Sequence, residues 1–157
     1  YAADTSKKIR AVVQAKARAG ERVTTNPPYG YLKDSNNPKN WIIDSVASEV
    51  VKRIFQEAKS GKSLSEIAKG LENDKIFKPD RYRIEIGLKP ISASSNVESL
   101  PYFWTRETLS NILGREEYIG HTVNLRTRKK SYKDKRKVDN PKEDWLVFKN
   151  THEAIID

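Results

Sequence analysis

The chain has 157 residues, enough for one ordinary domain with a real core or for two small modules sharing an interface. Its 30 Lys and Arg against 21 Asp and Glu give a formal charge of +9, and a content 36% hydrophobic and 32% charged argues against global disorder and for a folded domain with a highly charged surface. Without Cys there is no disulfide framework, zinc–thiolate site or Cys nucleophile, no apolar run approaches the ~20 residues of a membrane crossing, and the cytoplasm is the natural default.

From Lys7 to Ala19, Ile9, Val12, Val13 and Ala17 recur at helical spacing among Lys7, Lys8, Arg10, Gln14, Lys16 and Arg18, with Gly20 as the stop. This spacing predicts a basic amphipathic helix. Asn26-Pro27-Pro28 forces an extended or turning backbone, after which Tyr29 to Leu32 and Trp41 to Ile43 read as short strands of a hairpin across Asp34-Ser35-Asn36-Asn37-Pro38. Val46, Ala47, Val50, Val51, Ile54, Phe55 and Ala58 then fill the helical template, with Asp44 or Ser45 available as N-cap and Gly61 near the end. Ser63-Leu64-Ser65-Glu66 is a capping box opening a helix to about residue 73, whose buried stripe is Leu64, Ile67, Ala68 and Leu71.

Periodicity fades between Ile76 and Tyr102, and Pro79, Gly87, Pro90, the polar run Ser92 to Asn96 and Pro101 predict a long loop over about 76–103 with little regular structure. Thr105 caps a third helix through Leu113, with Leu109, Ile112 and Leu113 facing inward and Gly114 at its end. Tyr118 to Leu125 and Trp145 to Phe148 read as strands, separated by a basic, flexible hairpin tip over about 126–144 that holds Arg126, Arg128, Lys129, Lys130, Lys133, Lys135, Arg136 and Lys137. The expected fold is α+β: a helix-turn-helix-like three-helix unit with a small β-hairpin and a short C-terminal β-rich basic segment.

A strong positive charge favours a polyanionic partner, with double-stranded DNA the first candidate. If Leu109, Ile112 and Leu113 face the core, the third helix turns Thr105, Arg106, Glu107, Ser110, Asn111 and Arg115 outward. Arg can bond guanine edges and Asn adenine edges, so this set suits the major groove. Lys7, Lys8, Arg10, Lys16, Arg18 and Arg22, together with Arg126, Arg128, Lys129 and Lys130, suit phosphates or the minor groove. A solvated polar face on an ordinary three-helix bundle fits the same pattern. So does a protein-interaction domain with a basic surface, or a nucleic-acid binder without sequence preference.

Chemistry is sparse. His121 and His152 lie far apart with no local Cys, Asp or Glu set, so no metal is expected; no phosphate-loop pattern or Ser nucleophile motif implies a cofactor or a catalytic residue. Trp41, Trp104 and Trp145 fit core packing better than base stacking.

An ordered series resembles the recombinase domain of large serine recombinases from about Ser6 to Asp157: Tyr29-Gly30-Tyr31 after a Pro pair, Ile42-Ile43-Asp44, Val50 with Ile54-Phe55, Gly61-Lys62-Ser63, Glu66-Ile67-Ala68, Leu71, Trp104-Thr105, Ile112-Leu113 and Tyr118-Ile119-Gly120. The resemblance implies a domain that binds the inner part of a recombination attachment site in bacterial or phage DNA. It implies that residues 1–20 are the end of a helix from an upstream catalytic domain, and that residues 21–157 are the DNA-binding domain. His152 to Asp157 resembles the junction with a zinc ribbon, so the chain is expected to continue at both ends and to meet other recombinase subunits through domains outside it. In that family strand exchange proceeds through a phosphoserine link formed in the upstream domain, and nothing here matches its Ser nucleophile or arginines. The 76–103 stretch is longer than the family's usual link.

Overall fold

A computed structural model describes residues 2–92, 96–131, 133–134 and 136–157; Tyr1, residues 93–95, Tyr132 and Lys135, which fall in the N-terminal segment, the Ser/Asn-rich run and the basic tip, lie outside the described residues. The fold is α+β, with five α-helices and small antiparallel strand pairs among the described residues. It divides into two compact units, Tyr1–Ser45 with Glu116–Asp157, and Val46–Arg115.

The first unit opens with α1 (Ala2–Arg18), which begins earlier than its apolar spacing predicts and buries only Ala17. Gly20, at φ +84°, ends it in a Schellman turn, its N–H on Ala17 O (3.2 Å) and the Glu21 N–H on Lys16 O (3.1 Å). An added Cβ at Gly20 would lie 3.3 Å from the Phe148 ring, so both conformation and space select glycine there. Strands β1 (Tyr31–Lys33) and β2 (Trp41–Ile43) pair antiparallel, Tyr31 opposite Ile43 and Lys33 opposite Trp41. Their connection holds itself through side chains: Asp34 Oδ1 accepts the Asn36 N–H (2.9 Å) and Asn37 Oδ1 the Lys39 N–H (3.2 Å).

The C-terminal part of this unit differs from the long strand expected over 118–125. A 3-10 helix (Glu116–Ile119) comes first, and only β3 (Thr122–Asn124) is extended. Gly120 interposes a φ of +93°, and a Cβ there would stand 2.8 Å from His152 O, a close approach that breaks the strand. Two further strands, β4 (Thr127–Lys129) and β5 (Lys137–Asp139), form the basic hairpin, and β6 (Leu146–Phe148) returns to pair antiparallel with β3.

Tyr31 and Tyr118 stack at 6.1 Å between ring centroids in the core of this unit. Each hydroxyl donates to a distant carbonyl: Tyr31 to Glu153 O and Tyr118 to Tyr29 O, both at 2.6 Å. Burial pushes the Tyr31 phenol up to about 12, so it remains a donor at any physiological pH.

In the second unit α2 (Ala47–Lys59), α3 (Leu64–Asn73) and α5 (Arg106–Leu113) pack mutually around Val51, Ile54, Ile67, Leu71, Leu109 and Ile112. The expected cap of α2 is corrected: Val46 occupies the N-cap without a side-chain bond. Asp44 instead extends the first hairpin, its N–H on Gly30 O at 2.9 Å. Arg53 ties α2 to the end of α3, reaching Glu57 (3.0 Å) and Asp74 (2.7 Å).

The 76–103 stretch also needs correction, because it contains α4 (Pro79–Glu85). Proline read there as a breaker is a helix start, since its fixed φ suits the first turn and its missing N–H costs nothing at that position. The following chain is pinned to it: Asp80 Oδ1 and Oδ2 accept the N–H groups of Ile91 (3.0 Å) and Ser92 (3.2 Å), and Arg83 Nε donates to Lys89 O (2.7 Å). Trp104 is buried as expected, its indole N–H on Ile76 O at 3.0 Å.

The capping box of α3 forms as the sequence predicts, with Ser63 Oγ accepting the Glu66 N–H (3.2 Å) and Glu66 Oε2 accepting the Ser63 N–H (2.8 Å). Ser63→Ala should therefore destabilise the helical unit by about 1 kcal/mol, read as a lower urea midpoint with an unchanged slope.

Candidate nucleic-acid interface

Residues of α5 divide by helical geometry. Leu109 and Ile112 are buried, Leu113 is half-buried, and Arg106, Glu107, Ser110 and Asn111 are exposed at positions sharing one face. Thr105 caps the helix, its Oγ1 accepting the Thr108 N–H at 3.1 Å, and Arg115 beyond the C-terminus is half-buried. One guanidinium, one carboxamide, one carboxylate and one hydroxyl thus stand together on a short rigid element. That combination supplies both donors and acceptors for base edges.

The first unit carries the other predicted cations, and its geometry separates them. On α1, Lys7, Lys8, Arg10, Lys16 and Arg18 are exposed, accompanied by Ile9 and Val12, themselves 60% and 54% exposed. Arg22 turns inward instead: Nη1 donates to Lys39 O (2.6 Å), Nη2 donates to His152 Nδ1 (2.7 Å), and the guanidinium lies 4.2 Å from the Trp41 ring centroid. Arg126 also turns inward, donating to the buried Glu117 carboxylate at 2.6 Å with its guanidinium 5.0 Å from the Trp145 ring. Both arginines pair within the unit while remaining partly exposed.

Arg128, Lys129 and Lys130 project from the basic hairpin, all exposed. Register places Lys129 directly opposite Lys137, and beyond them the Lys130 N–H reaches Arg136 O at 3.4 Å. Two ammonium groups facing each other across a two-stranded ladder destabilise it. No ion pair to either of them occurs among the described residues, whereas Arg136 is held by Asp134 at 2.7 Å. The hairpin therefore carries a concentration of positive charge that its own fold does not neutralise.

Sequence reasoning missed two features. Lys137 stood in the basic run, but its pairing with Lys129 depends on register, which the turn sets and composition does not. His152 was expected to be ordinary. It links Arg22 to the chain, Nε2 donating to Glu117 O at 2.6 Å while Nδ1 accepts from Arg22, with the Tyr31 and Trp41 rings at 4.9 and 5.0 Å. No local motif signals a partner so distant in sequence.

Compared with known protein families, residues 45–157 match the Recombinase family. The chain belongs to the Recombinase family. This is the central domain of serine recombinases, which gives the protein a role in site-specific DNA recombination and makes DNA and other recombinase subunits its partners. The recombinase match takes in the whole second unit and the C-terminal part of the first; residues before 45, including α1, lie outside it. No curated protein and no solved structure matches the chain. Among the described residues, no helix of this recombinase domain is long and apolar enough to cross a membrane.

Burial holds the His152 imidazole below its usual 6.5, with the nearby charges of Arg22 and His121 acting in the same direction. A neutral folded His and a protonated unfolded one make stability rise with pH. His152 should contribute its full share above about pH 6.5, and that share should be lost as pH falls through its lowered folded value. Urea unfolding between pH 5 and 7.5 measures this, and His152→Gln should flatten the dependence.

Proposed function

We propose that this recombinase domain reads double-stranded DNA at a recombination attachment site, and that the uncompensated positive charge of the β4–β5 hairpin, with Lys129 facing Lys137, is the observation that carries the reading. A like-charge pair retained at a cost to the hairpin becomes favourable when phosphates lie beside it. Arg128, Lys129 and Lys130 serve this contact, and Lys7, Lys8, Arg10, Lys16 and Arg18 on α1 serve a second one along the backbone or minor groove.

Sequence choice falls to α5. In this reading α2, α3 and α5 act as a helix-turn-helix-like unit and α5 enters the major groove, where Arg106 addresses guanine, Asn111 adenine, and Thr105, Glu107, Ser110 and Arg115 complete the set. Residues 1–20 form the end of a connecting helix from an upstream catalytic domain, and residues 21–157 form the DNA-binding domain. Strand exchange is then chemistry of that upstream domain, in the cytoplasm of a bacterium, with this chain supplying the address on the DNA.

Selection from a random duplex pool at near-physiological salt tests the proposal directly. Enrichment of one motif supports it; retention without enrichment leaves only backbone binding, and no retention refutes it. Arg106→Ala and Asn111→Ala should each relax preference at particular base pairs at about 1–3 kcal/mol, whereas Lys129→Ala or Lys130→Ala should weaken all duplexes alike.

The hairpin makes a two-sided prediction. Lys137→Glu replaces a repulsive cross-strand pair by an attractive one and should stabilise the free protein by about 0.2–1 kcal/mol. The same substitution should weaken duplex binding and lower the salt slope by about 1, seen by repeating the titration at several salt concentrations.

A further inference from the structure

Asn124, the last residue of β3, is a carboxamide among the largest fully buried side chains of the chain, at 1% exposure. Burying an amide costs free energy unless it is bonded, so its partners matter. Nδ2 donates to Ala17 O at 3.2 Å and to Glu21 O at 2.9 Å, the carbonyls on either side of the left-handed Gly20 that ends α1. The adjoining strand makes a second contact at the same place, since the Phe148 ring of β6 packs within 3.3 Å of where a Cβ of Gly20 would be. One helix terminus is thus seated on both strands of one sheet.

From Asn124 the chain turns through Leu125, at φ +61°, and enters the basic hairpin. Asn140 closes the hairpin's base: its Nδ2 donates to Leu125 O (2.8 Å), its N–H to Arg126 O (2.8 Å), and its carbonyl accepts the Trp145 indole N–H (3.1 Å). Arg128 reaches back to Asn140 Oδ1 at 2.6 Å. Hydrogen bonds therefore connect the end of α1 to the root of the β4–β5 hairpin with no free linker between them.

We propose that Asn124 is a positioning residue that locks the C-terminal end of α1 onto β3 and so fixes the direction and spacing between the cations of α1 and those of the hairpin. The consequence for DNA rests on the function proposed above. Two cationic elements held at one spacing engage a duplex as a unit, whereas elements free to swivel must each be ordered on binding.

The chain has no Cys, so Ala11→Cys on α1 and Asp139→Cys on β5, both at exposed positions, can carry a pair of spin labels. The parent should give one narrow distance distribution. Asn124→Asp keeps the shape but turns an oxygen towards two carbonyl oxygens; it should broaden that distribution while the amide spectrum retains the β1–β2 and β3–β6 signals. Duplex affinity should then fall on the order of tenfold with the salt slope retained, because the cations themselves are unchanged. Asn124→Ala, which removes the donor without adding charge, should act the same way. A distribution equally narrow in parent and variants, or broad in the parent, overturns the proposal. Loss of both sheets in both variants overturns it too, by making Asn124 a general core residue. Broadening with unchanged affinity supports the positioning role and refutes the DNA role of the two elements, since the distance measurement contains no DNA.

Discussion

Closure of the first unit depends on two tyrosine hydroxyls that reach across the sequence. Tyr31, from the first hairpin, donates to Glu153 O, and Tyr118, from the 3-10 helix, donates to Tyr29 O, so each half of the unit supplies a ring and receives a hydroxyl. The hydroxyls of the stacked pair thus bond carbonyls of the opposite half of the unit. Around it sit Arg22, Trp41, Glu117 and His152, each joined to at least one of the others. Short strands of three residues bring little ladder energy of their own, and side-chain bonds to backbone carbonyls supply the missing constraint.

Cations in this domain fall into two populations that composition cannot separate. Arg22 and Arg126 lie over indole rings and bond to a His and a carboxylate within the fold, whereas Lys129, Lys130 and the lysines of α1 stay in solvent. Guanidinium suits the interior role because it is planar, weakly hydrated and stacks on aromatic faces. Part of the formal +9 is therefore tied up within the fold, while the cations of α1 and most of those of the hairpin are exposed.

The helical unit was the most legible part of the sequence. Apolar residues at positions 51, 54, 67, 71, 109 and 112 follow the helical period, and Ser63 and Thr105 announce two helix starts by capping chemistry. Helix α4 carried no such signal: it buries no residue, so it leaves no apolar stripe, and its Pro79 resembles an interruption. The exposed face of α5 followed directly from its buried one. The Arg22–His152 and Asn124–Ala17 contacts were illegible because the partners lie more than a hundred positions apart, and only tertiary structure brings them together. Lys137 was visible as a charge but not as the partner of Lys129, since a shift of one residue in register would have turned it to the other face.

The way the chain is divided also orders its assembly in time. The helical unit is continuous, Val46–Arg115, and its contacts are local, so it can form while the remainder is still being synthesised. The other unit needs Glu116–Asp157 to return to Tyr1–Ser45 and must wait until the last of these residues has left the ribosome. During that interval Ala17, the buried residue of α1, has no sheet behind it, and the basic hairpin does not yet exist. A nascent chain thus acquires its α5 surface before its hairpin.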